Sequence, residues 1–563
     1  MRSTIGEWID ASLPASNQVL RLLDGHGAPS ERPWPAVHRS SLCRAKVLRH
    51  RLGVQPGDRV ALLGPTTVPL VETLLATWLA GATAVVLPLP LRFSGHGSFV
   101  ASTRARILEA GARVVFVDPA HAAAPMADAF PQSVRTELLA EEPATGRPAD
   151  PVPIDPGATA ILQFTSGSTG GPKAVRLSHR AVTANIRAMR EAAAFSPADR
   201  FISWLPLYHD MGLIGTLLCP TMVGAGLTLL PTGTFMAAPH TWMRAVDRYR
   251  GTITAGPNFA FALAARLLAR GGTLDLSSLR AAFCGAEPID PSTLAAVLAT
   301  GRRHGLREDV VVPCYGMAET TLAISFAPLG RPVRVDVVDR AALQERRSAR
   351  PVCSGGSGEA GATTAAFVAL GPPLPGTAVR VVGTGGRELG EREVGELHVA
   401  SSSLMDGYLN HPDAPTTAAG WLPTGDLGYL ADGEVHVCGR TKDLIIVNGH
   451  NIHPHEVEAA AETVPGVRTG GTVAFAVEGT SGTEAVVVLC ESAAAAEAHQ
   501  AIATEVRRRV GEAVGVHPRD VRIIRPKQVP KTTSGKRQRQ RARELFRSGR
   551  LGSGGREPVR ATP

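Results

Sequence analysis

A glycine- and hydroxyl-rich segment that ends in a lysine is the part of the sequence whose residue types point most directly to chemistry. It reads FTSGSTGGPK at 164–173 and follows the apolar run ATAIL. Small residues let backbone N–H groups and hydroxyls reach phosphate oxygens, and Lys173 adds a positive charge. It is not a Walker A loop, because Pro172 precedes the lysine and Ala174 replaces the Ser or Thr that would bind magnesium. Taken alone, such a segment is by default a Gly/Ser turn, so phosphate binding depends on the motifs that accompany it.

Six further motifs follow along the chain. They are SWLPLYHDMGLIG (203–215), AGPNFAFAL (255–263), FCGAEPID (283–290), YGMAETTLAISF (315–326), TGDLGYLADGEVHVCGRTKDLI (424–445) and KTTSGKRQR (531–539). Each motif is moderately specific, and the ordered set is highly specific. The chain resembles the acyl-adenylate-forming superfamily, which includes acyl-CoA synthetases, peptide-synthetase adenylation domains and luciferases. PNFAFAL, GAEPI and YGMAETTL most resemble the fatty acyl-AMP ligases, and the resemblance extends from about residue 35 to 545.

The resemblance implies the ATP-dependent activation of a hydrophobic carboxylic acid, fatty or bulky, to an acyl-adenylate with release of pyrophosphate. A carboxylate is a poor nucleophile, so its attack on the α-phosphate needs neutralised charge and in-line placement more than covalent help. ATP and Mg²⁺ are the implied cofactors, and CoA is a further candidate.

By this resemblance, the nucleotide contacts residues from four of the motifs. The loop 165–173 would hold the β- and γ-phosphates, and Gly285, Ala286 and Tyr315 would line the adenine slot. The full set implied for nucleotide binding is Thr165, Ser166, Gly167, Ser168, Thr169, Gly170, Lys173, Gly285, Ala286, Glu287, Tyr315, Gly316, Met317, Asp426 and Arg440.

Asp426 and Arg440 are the candidates for ribose recognition. Asp426 lies in the turn TGD, where its carboxylate could accept hydrogen bonds from both ribose hydroxyls, and Arg440 would add a charge-assisted contact. Alone, the first would be interpreted as an Asx-turn in a surface loop and the second as half of a surface ion pair. The ordered set of motifs favours nucleotide binding for both.

The catalytic residues implied by the resemblance are Lys536, His209, Thr320 and Glu319. Lys536 could bridge the substrate carboxylate and the α-phosphate as charge builds in the transition state, although a lysine in a basic run is otherwise solvent-facing. Glu319 would bind Mg²⁺ as a hard oxygen ligand, and Thr320 would touch the α-phosphate. His209 would gate the mouth of the acyl pocket, with a neutral core histidine as the equal alternative.

The wall of the acyl pocket is predicted around four residues that could equally belong to ordinary core. They are Gly215, Met236, Phe259 and Met317. Motifs do not report pocket depth, so the identity of the acid stays open.

Strand-length apolar segments alternate with longer helical patterns, as in VALLG after Asp58, VETLLATWLAGA, TAVVLPLPL and RVVFVD. This alternation is typical of a parallel sheet covered by helices, so the predicted fold class is α/β. A chain of 563 residues also exceeds what one core usually serves. We predict a large N-terminal adenylation domain of several α/β subdomains at 1–440, a small mobile C-terminal α+β domain at 444–546 and a disordered tail at 547–563. By resemblance, residues 441–443 form the hinge, which includes Lys442.

The acyl acceptor is the least constrained part of the prediction. In fatty acyl-AMP ligases an insertion in the large domain hampers the swing towards a CoA-binding pose, and VRVDVVDRAALQERR at 333–347 resembles it. Transfer to the phosphopantetheine thiol of a carrier protein is therefore favoured. The segment NGHNIHPHEVE at 448–458 departs from that subfamily and keeps open an acyl-CoA synthetase, or the adenylating half of one, for a bulky or polycyclic acid. A catalytically silent acyl- or nucleotide-binding protein is the third alternative, against which the complete motif set argues.

Composition narrows the partners and the compartment. The formal net charge is +9, but the basic residues concentrate in KTTSGKRQRQRAR at 531–543, without interleaved aromatic residues. We interpret this run as a solvated helix and expect no nucleic-acid partner. The uncharged stretch 73–91 contains Gly81, Pro88 and Pro90, so no membrane span is expected. The seven cysteines are scattered and no apolar leader begins the chain, which favours the cytoplasm.

Overall fold

The computed structural model describes residues 2–23, 29–89, 96–122, 129–139, 148–165, 173–352, 363–411, 420–447, 450–478, 484–531 and 536–551. Five of the predicted phosphate-loop residues lie outside these stretches: Ser166, Gly167, Ser168, Thr169 and Gly170.

Strands and helices alternate up to residue 440. The strands are β1 (Val19–Leu22), β2 (Ser30–Pro33), β3 (Arg59–Leu63), β4 (Thr83–Val86), β5 (Val114–Val117), β6 (Arg135–Leu138), β7 (Thr159–Phe164), β8 (Ala174–Ser178), β9 (Arg200–Ser203), β10 (Gly226–Leu229), β11 (Ile253–Gly256), β12 (Ala281–Cys284), β13 (Val311–Gly316), β14 (Ala323–Phe326), β15 (Val335–Asp339), β16 (Thr364–Val368), β17 (Thr377–Val382), β18 (Gly395–Ser401), β19 (Leu422–Ala431) and β20 (Glu434–Arg440). The helices are α1 (Ile5–Ser12), α2 (Trp34–Lys46), α3 (Val68–Leu79), α4 (His96–Ala110), α5 (Pro119–Ala122), α6 (His179–Ala193), α7 (Cys219–Val223), α8 (Thr232–Ala237), α9 (His240–Arg248), α10 (Asn258–Ala269), α11 (Pro291–Gly301) and α12 (Arg340–Arg346).

Two large sheets carry most of this region. The first has the order β6-β5-β3-β4-β7-β8, in which only β8 is antiparallel to its neighbour. The second has the order β14-β13-β12-β11-β9-β10-β1-β2, with a parallel centre and antiparallel edges at β14 and β2. Buried residues of both sheets and of α3 form one apolar core. Because β11, β12 and β13 are parallel neighbours, the motifs after their carboxyl ends lie along one edge.

A third sheet, β17-β18-β19-β20, is antiparallel and positions the TGD motif. Its register sets Asp426 on β19 directly opposite Arg440 on β20. A register shift between Leu427 and Gly428 falls next to this pair. The two candidate ribose residues are therefore cross-strand neighbours. A small sheet, β15-β16, accompanies α12.

After residue 444 the chain builds separate sheets and separate apolar cores. The strands are β21 (Ile445–Val447), β22 (His450–Ile452), β23 (Thr472–Glu478), β24 (Glu484–Glu491) and β25 (Asp520–Ile524), and the helices are α13 (Pro454–Glu462), α14 (His499–Val514) and α15 (Arg539–Arg547). β23, β24 and β25 form a sheet with α13 and α14 in one core and Ala542 of α15 in the other. The predicted class is confirmed: a large α/β region of several sheets precedes a smaller α+β region.

The C-terminal end of the described chain is packed. The sequence predicted disorder from residue 547, but Arg547 ends α15 and Leu551 is buried beside Val473 and Leu489. The apolar leucine explains this correction, because its burial fixes the turn that follows the helix. Residues 552–563 lie outside the described part of the chain.

The two regions contact each other through the segments 333–347 and 448–458, on which the choice between CoA and a carrier protein as acyl acceptor depends. Arg340 of α12 forms an ion pair of 2.6 Å with Glu456 of α13. The Asn451 side-chain amide donates to the Gln344 carbonyl oxygen at 3.0 Å. The insertion-like segment and the unusual segment at 448–458 therefore dock against each other.

No helix in the described stretches combines the length and the apolar character that a membrane crossing requires.

Because of one buried histidine, we expect the free energy of unfolding to decrease in mild acid. His179 is fully buried, and its Nδ1 accepts a hydrogen bond from the Ile5 N–H at 3.2 Å. Burial lowers the pKa of His179 to about 4. Between pH 6.5 and 4 the unfolded chain therefore binds more protons than the folded one, and the free energy of unfolding should fall with pH by up to about 1.36 kcal/mol per pH unit. In denaturant unfolding across this range, His179→Gln should make the pH dependence shallower. The matched change at the exposed His240 should not, and an unaltered slope in His179→Gln would contradict the assignment.

Candidate active site

A cavity of about 1900 Å³ lies between the carboxyl ends of the central strands and the C-terminal region. Residues from all seven sequence motifs line its wall. The predicted site residues that line it are Thr165, Lys173, His209, Gly215, Ala286, Glu287, Tyr315, Gly316, Met317, Glu319, Asp426, Arg440, Lys442 and Lys536. Motifs that are hundreds of residues apart in sequence thus converge on one space.

One part of the cavity wall is built around the Asp426 carboxylate. The Tyr315 hydroxyl donates to its Oδ2 at 2.7 Å, and Arg440 Nε donates to its Oδ1 at 2.9 Å. Asp426 is 5% exposed, so these bonds form in a low-dielectric environment. Burial and the Asp426 charge raise the pKa of Tyr315, which keeps the phenol protonated as a donor. The arrangement holds an aromatic ring beside a carboxylate, as adenine and ribose recognition would require.

Lys536 enters the cavity from the C-terminal region. Burial lowers its pKa, while the carboxylates of Asp210 and Glu287 act in the opposite direction. Glu287 in turn accepts a hydrogen bond from the Phe259 N–H at 2.7 Å, and burial raises the pKa of this carboxyl group. Lys536 is therefore a desolvated cation beside acidic groups in the space where the motifs meet.

His209 lies against the carboxylate of its sequence neighbour, Asp210. Its Nδ1 lies 2.6 Å from Asp210 Oδ1, and the same Asp210 oxygen accepts from the Met211 N–H at 2.7 Å. Burial opposes ionisation of Asp210, but His209, Lys536 and the Met211 N–H outweigh it and hold the pKa of Asp210 at about 2. Asp210 was not singled out from the sequence. An acidic residue directly after a candidate catalytic histidine was the available signal.

Another part of the cavity wall contains the two described ends of the glycine-rich segment. The Thr165 N–H donates to the Lys173 carbonyl oxygen at 2.9 Å. Lys173 Nζ lies 5.1 Å from the centroid of the Tyr408 ring, and the Tyr408 hydroxyl donates to Glu319 Oε1 at 2.8 Å. A lysine and a carboxylate are thus joined through one tyrosine at the cavity wall.

Among the predicted site residues that the structure describes, four do not line the cavity. Thr320 is 1% exposed, and its hydroxyl donates to the Met317 carbonyl oxygen at 3.0 Å, so it faces the turn and not the cavity. A Cβ at Gly285 would lie 2.5 Å from Cys314 Sγ, so close packing against the next strand explains that glycine.

The remaining two concern the acyl pocket. Met236 is 61% exposed on the short α8, whose buried side carries Phe235, and it is thus directed away from the cavity. Phe259 packs edge-on against Trp204 at 6.1 Å in the core beside the cavity. The predicted pocket wall therefore retains Gly215 and Met317 only.

The apolar wall consists instead of side chains that come from separate parts of the chain, and no single motif contains them all. Phe201, Phe283 and Phe326 project from β9, β12 and β14, and Met189 and Phe195 come from α6 and the turn after it. Edge-to-face contacts connect Phe195 to Phe201 at 5.2 Å and Phe283 to Phe326 at 5.3 Å. Such rings form a preorganised apolar surface.

Comparison with known proteins places this site in a family. The family model for the AMP-binding enzyme matches residues 34–409. A Mycobacterium tuberculosis chain, Rv1013, named only as a candidate ligase, is 37% identical over 523 residues, which cover 91% of this chain and 94% of its own. The long-chain-fatty-acid–AMP ligase FadD32 of Mycolicibacterium smegmatis is 30% identical over 94% of this chain and 91% of its own.

A solved structure agrees in fold over nearly the whole length. It comes from work on the fatty acyl-adenylate ligases of E. coli and L. pneumophila and superposes with a TM-score of 0.86 at 31% identity. The alignment covers 97% of this chain and 98% of that one. Fold and site together define an enzyme that activates a carboxylate with a nucleotide. The chain belongs to the AMP-binding enzyme family, and within it is an adenylate-forming ligase of the fatty acyl-AMP ligase type that uses ATP.

Proposed function

We propose that this ligase converts ATP and a hydrophobic carboxylic acid into an acyl-adenylate and pyrophosphate and passes the acyl group to the phosphopantetheine thiol of a carrier protein. The observation that carries the proposal is the position of Lys536, which reaches from the C-terminal region into the cavity that the nucleotide motifs line. We infer that the acid and the α-phosphate meet beside this lysine.

The nucleotide roles follow the two groups of motif residues described above, one around Asp426 and one around Lys173. Asp426 and Arg440 take the ribose, and Tyr315 and Ala286 take adenine. Thr165 and Lys173 take the β- and γ-phosphates. Lys536 neutralises the charge that develops between the carboxylate and the α-phosphate, which is the electrostatic contribution such a transfer needs most. His209, oriented by Asp210, stands beside the path of the acid.

Glu319 suits a magnesium ion that arrives with the nucleotide. Within the described residues no group of three or more His, Cys, Asp or Glu side chains could hold a metal. Mg²⁺ is usually bound by one or two carboxylates, waters and substrate phosphates, so a single carboxylate beside the phosphate end fits it. When bound, the ion would neutralise charge on the phosphates.

The apolar wall supports a hydrophobic acid. An aliphatic or ring-bearing acid would replace water against Phe195, Phe201 and Phe283, and each buried CH₂ would contribute about 0.8 kcal/mol. The chemistry of the wall does not discriminate a long chain from a bulky ring system, so the acid panel below includes both.

The acceptor proposal rests on the docked C-terminal region. Arg340, at the start of α12, holds Glu456, and Arg539 forms an ion pair of 2.8 Å with Asp443 in the proposed hinge 441–443. These contacts hold Lys536 in the cavity and restrain rotation about Lys442. We place the division between the large and small domains at this hinge, and the enzyme in the cytoplasm, where the six described cysteines remain free thiols.

Purified protein incubated with ATP, Mg²⁺ and a panel of fatty, aryl and polycyclic acids tests the proposal. With mass-spectrometric detection, at least one acid should give an acyl-adenylate and pyrophosphate, and a chelator of divalent cations should abolish both products. Addition of CoA should leave the adenylate unchanged, whereas a phosphopantetheinylated carrier protein should become acylated. Formation of acyl-CoA would identify a complete acyl-CoA synthetase instead, and the absence of adenylate with every acid would refute the activity.

A further inference from the structure

Arg106 is a positive charge at the cavity wall that the roles above do not include. It lies on α4, near the end of the helix, and lines the cavity together with Ser102, Phe164, Thr165 and Lys173. Arg106 stacks on Phe164, which directly precedes Thr165 and pairs with Ala174, the residue after Lys173, so Arg106 lies near the described ends of the glycine-rich segment.

The guanidinium is held in place by weak partners. One terminal nitrogen donates to the Ser102 hydroxyl, one helical turn earlier. The plane of the Phe164 ring lies under the guanidinium, with its centroid 5.9 Å from Cζ. The buried Nε has no hydrogen-bond partner in the described structure. Both of these partners are neutral, so they fix the direction of the side chain without supplying a negative charge.

Burial makes this arrangement costly for a cation. Burial lowers the pKa of Arg106, and the charge of Glu109 on the same helix offsets the effect in part. Glu109 is itself partly buried, which raises its pKa, and His411 and Arg106 oppose that shift. A bound phosphate would pair directly with the guanidinium, since guanidinium groups bind phosphate oxygens through two parallel N–H donors.

We propose that Arg106 is a second cation of the pyrophosphate subsite, where it binds the β- and γ-phosphates of ATP opposite Lys173 and holds the pyrophosphate that leaves. This inference rests on the proposed adenylation reaction. The position of Arg106 beside Thr165 and Lys173 favours these phosphates over the phosphate of an incoming acceptor, and a buried cation is a poor neighbour for an acyl chain.

Equilibrium binding by calorimetry tests the proposal without any acid. In Arg106→Gln the Kd of inorganic pyrophosphate and of ATP should rise by about ten- to hundredfold, the loss expected for a hydrogen bond to a charged group. The Kd of AMP, which lacks these phosphates, should change by less than about twofold, and Arg106→Lys should recover part of the ATP affinity. Arg104→Gln, at an exposed position on the same helix, is the matched control and should bind all three ligands as the wild type does.

Two results would overturn this role. Equal weakening of AMP and pyrophosphate would mean that the substitution damages the whole cavity. Unchanged pyrophosphate binding, combined with slower acyl transfer from supplied acyl-adenylate, would assign Arg106 to the acceptor. If the wild type forms no adenylate with any acid, the proposed function fails, but the pyrophosphate measurement still decides whether Arg106 binds phosphate.

Discussion

Lys536→Ala should lower the rate of acyl-adenylate formation by roughly two to three orders of magnitude, the usual cost of removing one preorganised donor from an electrostatic site. The lysine is a desolvated cation inside the cavity, beside Asp210 and Glu287, and it lies on the C-terminal side of the proposed hinge. Its charge is needed only while the carboxylate attacks the α-phosphate. Pyrophosphate release with saturating ATP and acid measures the loss.

The second half-reaction supplies the internal control for Lys536. When the acyl-adenylate is added ready-made, transfer to the carrier thiol should proceed at a rate within about threefold of the wild type, because the charge that Lys536 neutralises has already been discharged with the pyrophosphate. Lys527→Ala, at an exposed position in the same region, should leave both half-reactions unchanged. Equal loss in both half-reactions of Lys536→Ala would point to a structural role in docking the C-terminal region.

The fold class was predictable because strands buried on both faces appear in the sequence as short, continuous apolar runs. VVFV of β5 is fully buried, and its continuous apolar run is what a parallel strand covered by helices requires. α3 was equally visible, since VPLVETLLATWL is buried along its whole length. The one charged residue in α3 is Glu72, whose Oε2 accepts hydrogen bonds from Ser40 at 2.7 Å and Arg44 at 3.0 Å on a neighbouring helix, and no pattern within α3 indicates these partners.

The site was predictable where a motif residue projects directly from a strand end and unpredictable where local packing decides its direction. Tyr315 of β13 and Asp426 of β19 belong to different sheets, and their motif side chains meet at the cavity in a hydrogen bond of 2.7 Å. Thr320, in contrast, satisfies its hydroxyl within its own 3₁₀ turn, and the Gly285 position is set by Cys314 of the neighbouring strand. Both outcomes depend on the close packing of neighbouring atoms, which the residue types alone do not specify.

The apolar pocket was the least predictable part, because its wall is assembled from different strands and not from a contiguous motif. Phe201, Phe283 and Phe326 are single residues in short buried strands, and each would be assigned to ordinary core from its local sequence. Met236 lies outside the described cavity wall, because α8 is short and its buried side is occupied by Phe235. Only the pairing order of the strands shows which apolar side chains share a face.

Asp426→Asn should raise the KM for ATP by about ten- to hundredfold with a smaller effect on kcat, because the lost charge weakens hydrogen bonds to the ribose in ground state and transition state alike. Asparagine is isosteric and can still accept from Arg440, so the pairing of β19 and β20 should persist. Steady-state kinetics of pyrophosphate release at saturating acid measures the change. Tyr315→Phe removes one donor to the same carboxylate and should have a smaller effect.

A cycle with a modified nucleotide separates ribose recognition from a general loss of structure. For the wild type, 2′,3′-dideoxy-ATP should show a raised KM, because the hydroxyls that Asp426 would bind are missing. For Asp426→Asn the same replacement should add little, since the interaction has already been removed from the protein side. If the two effects are instead fully additive, the carboxylate and the ribose do not interact. Asp426 would then serve the site only by holding Tyr315 and Arg440 in place, and the position of the nucleotide in the cavity would have to be reassigned.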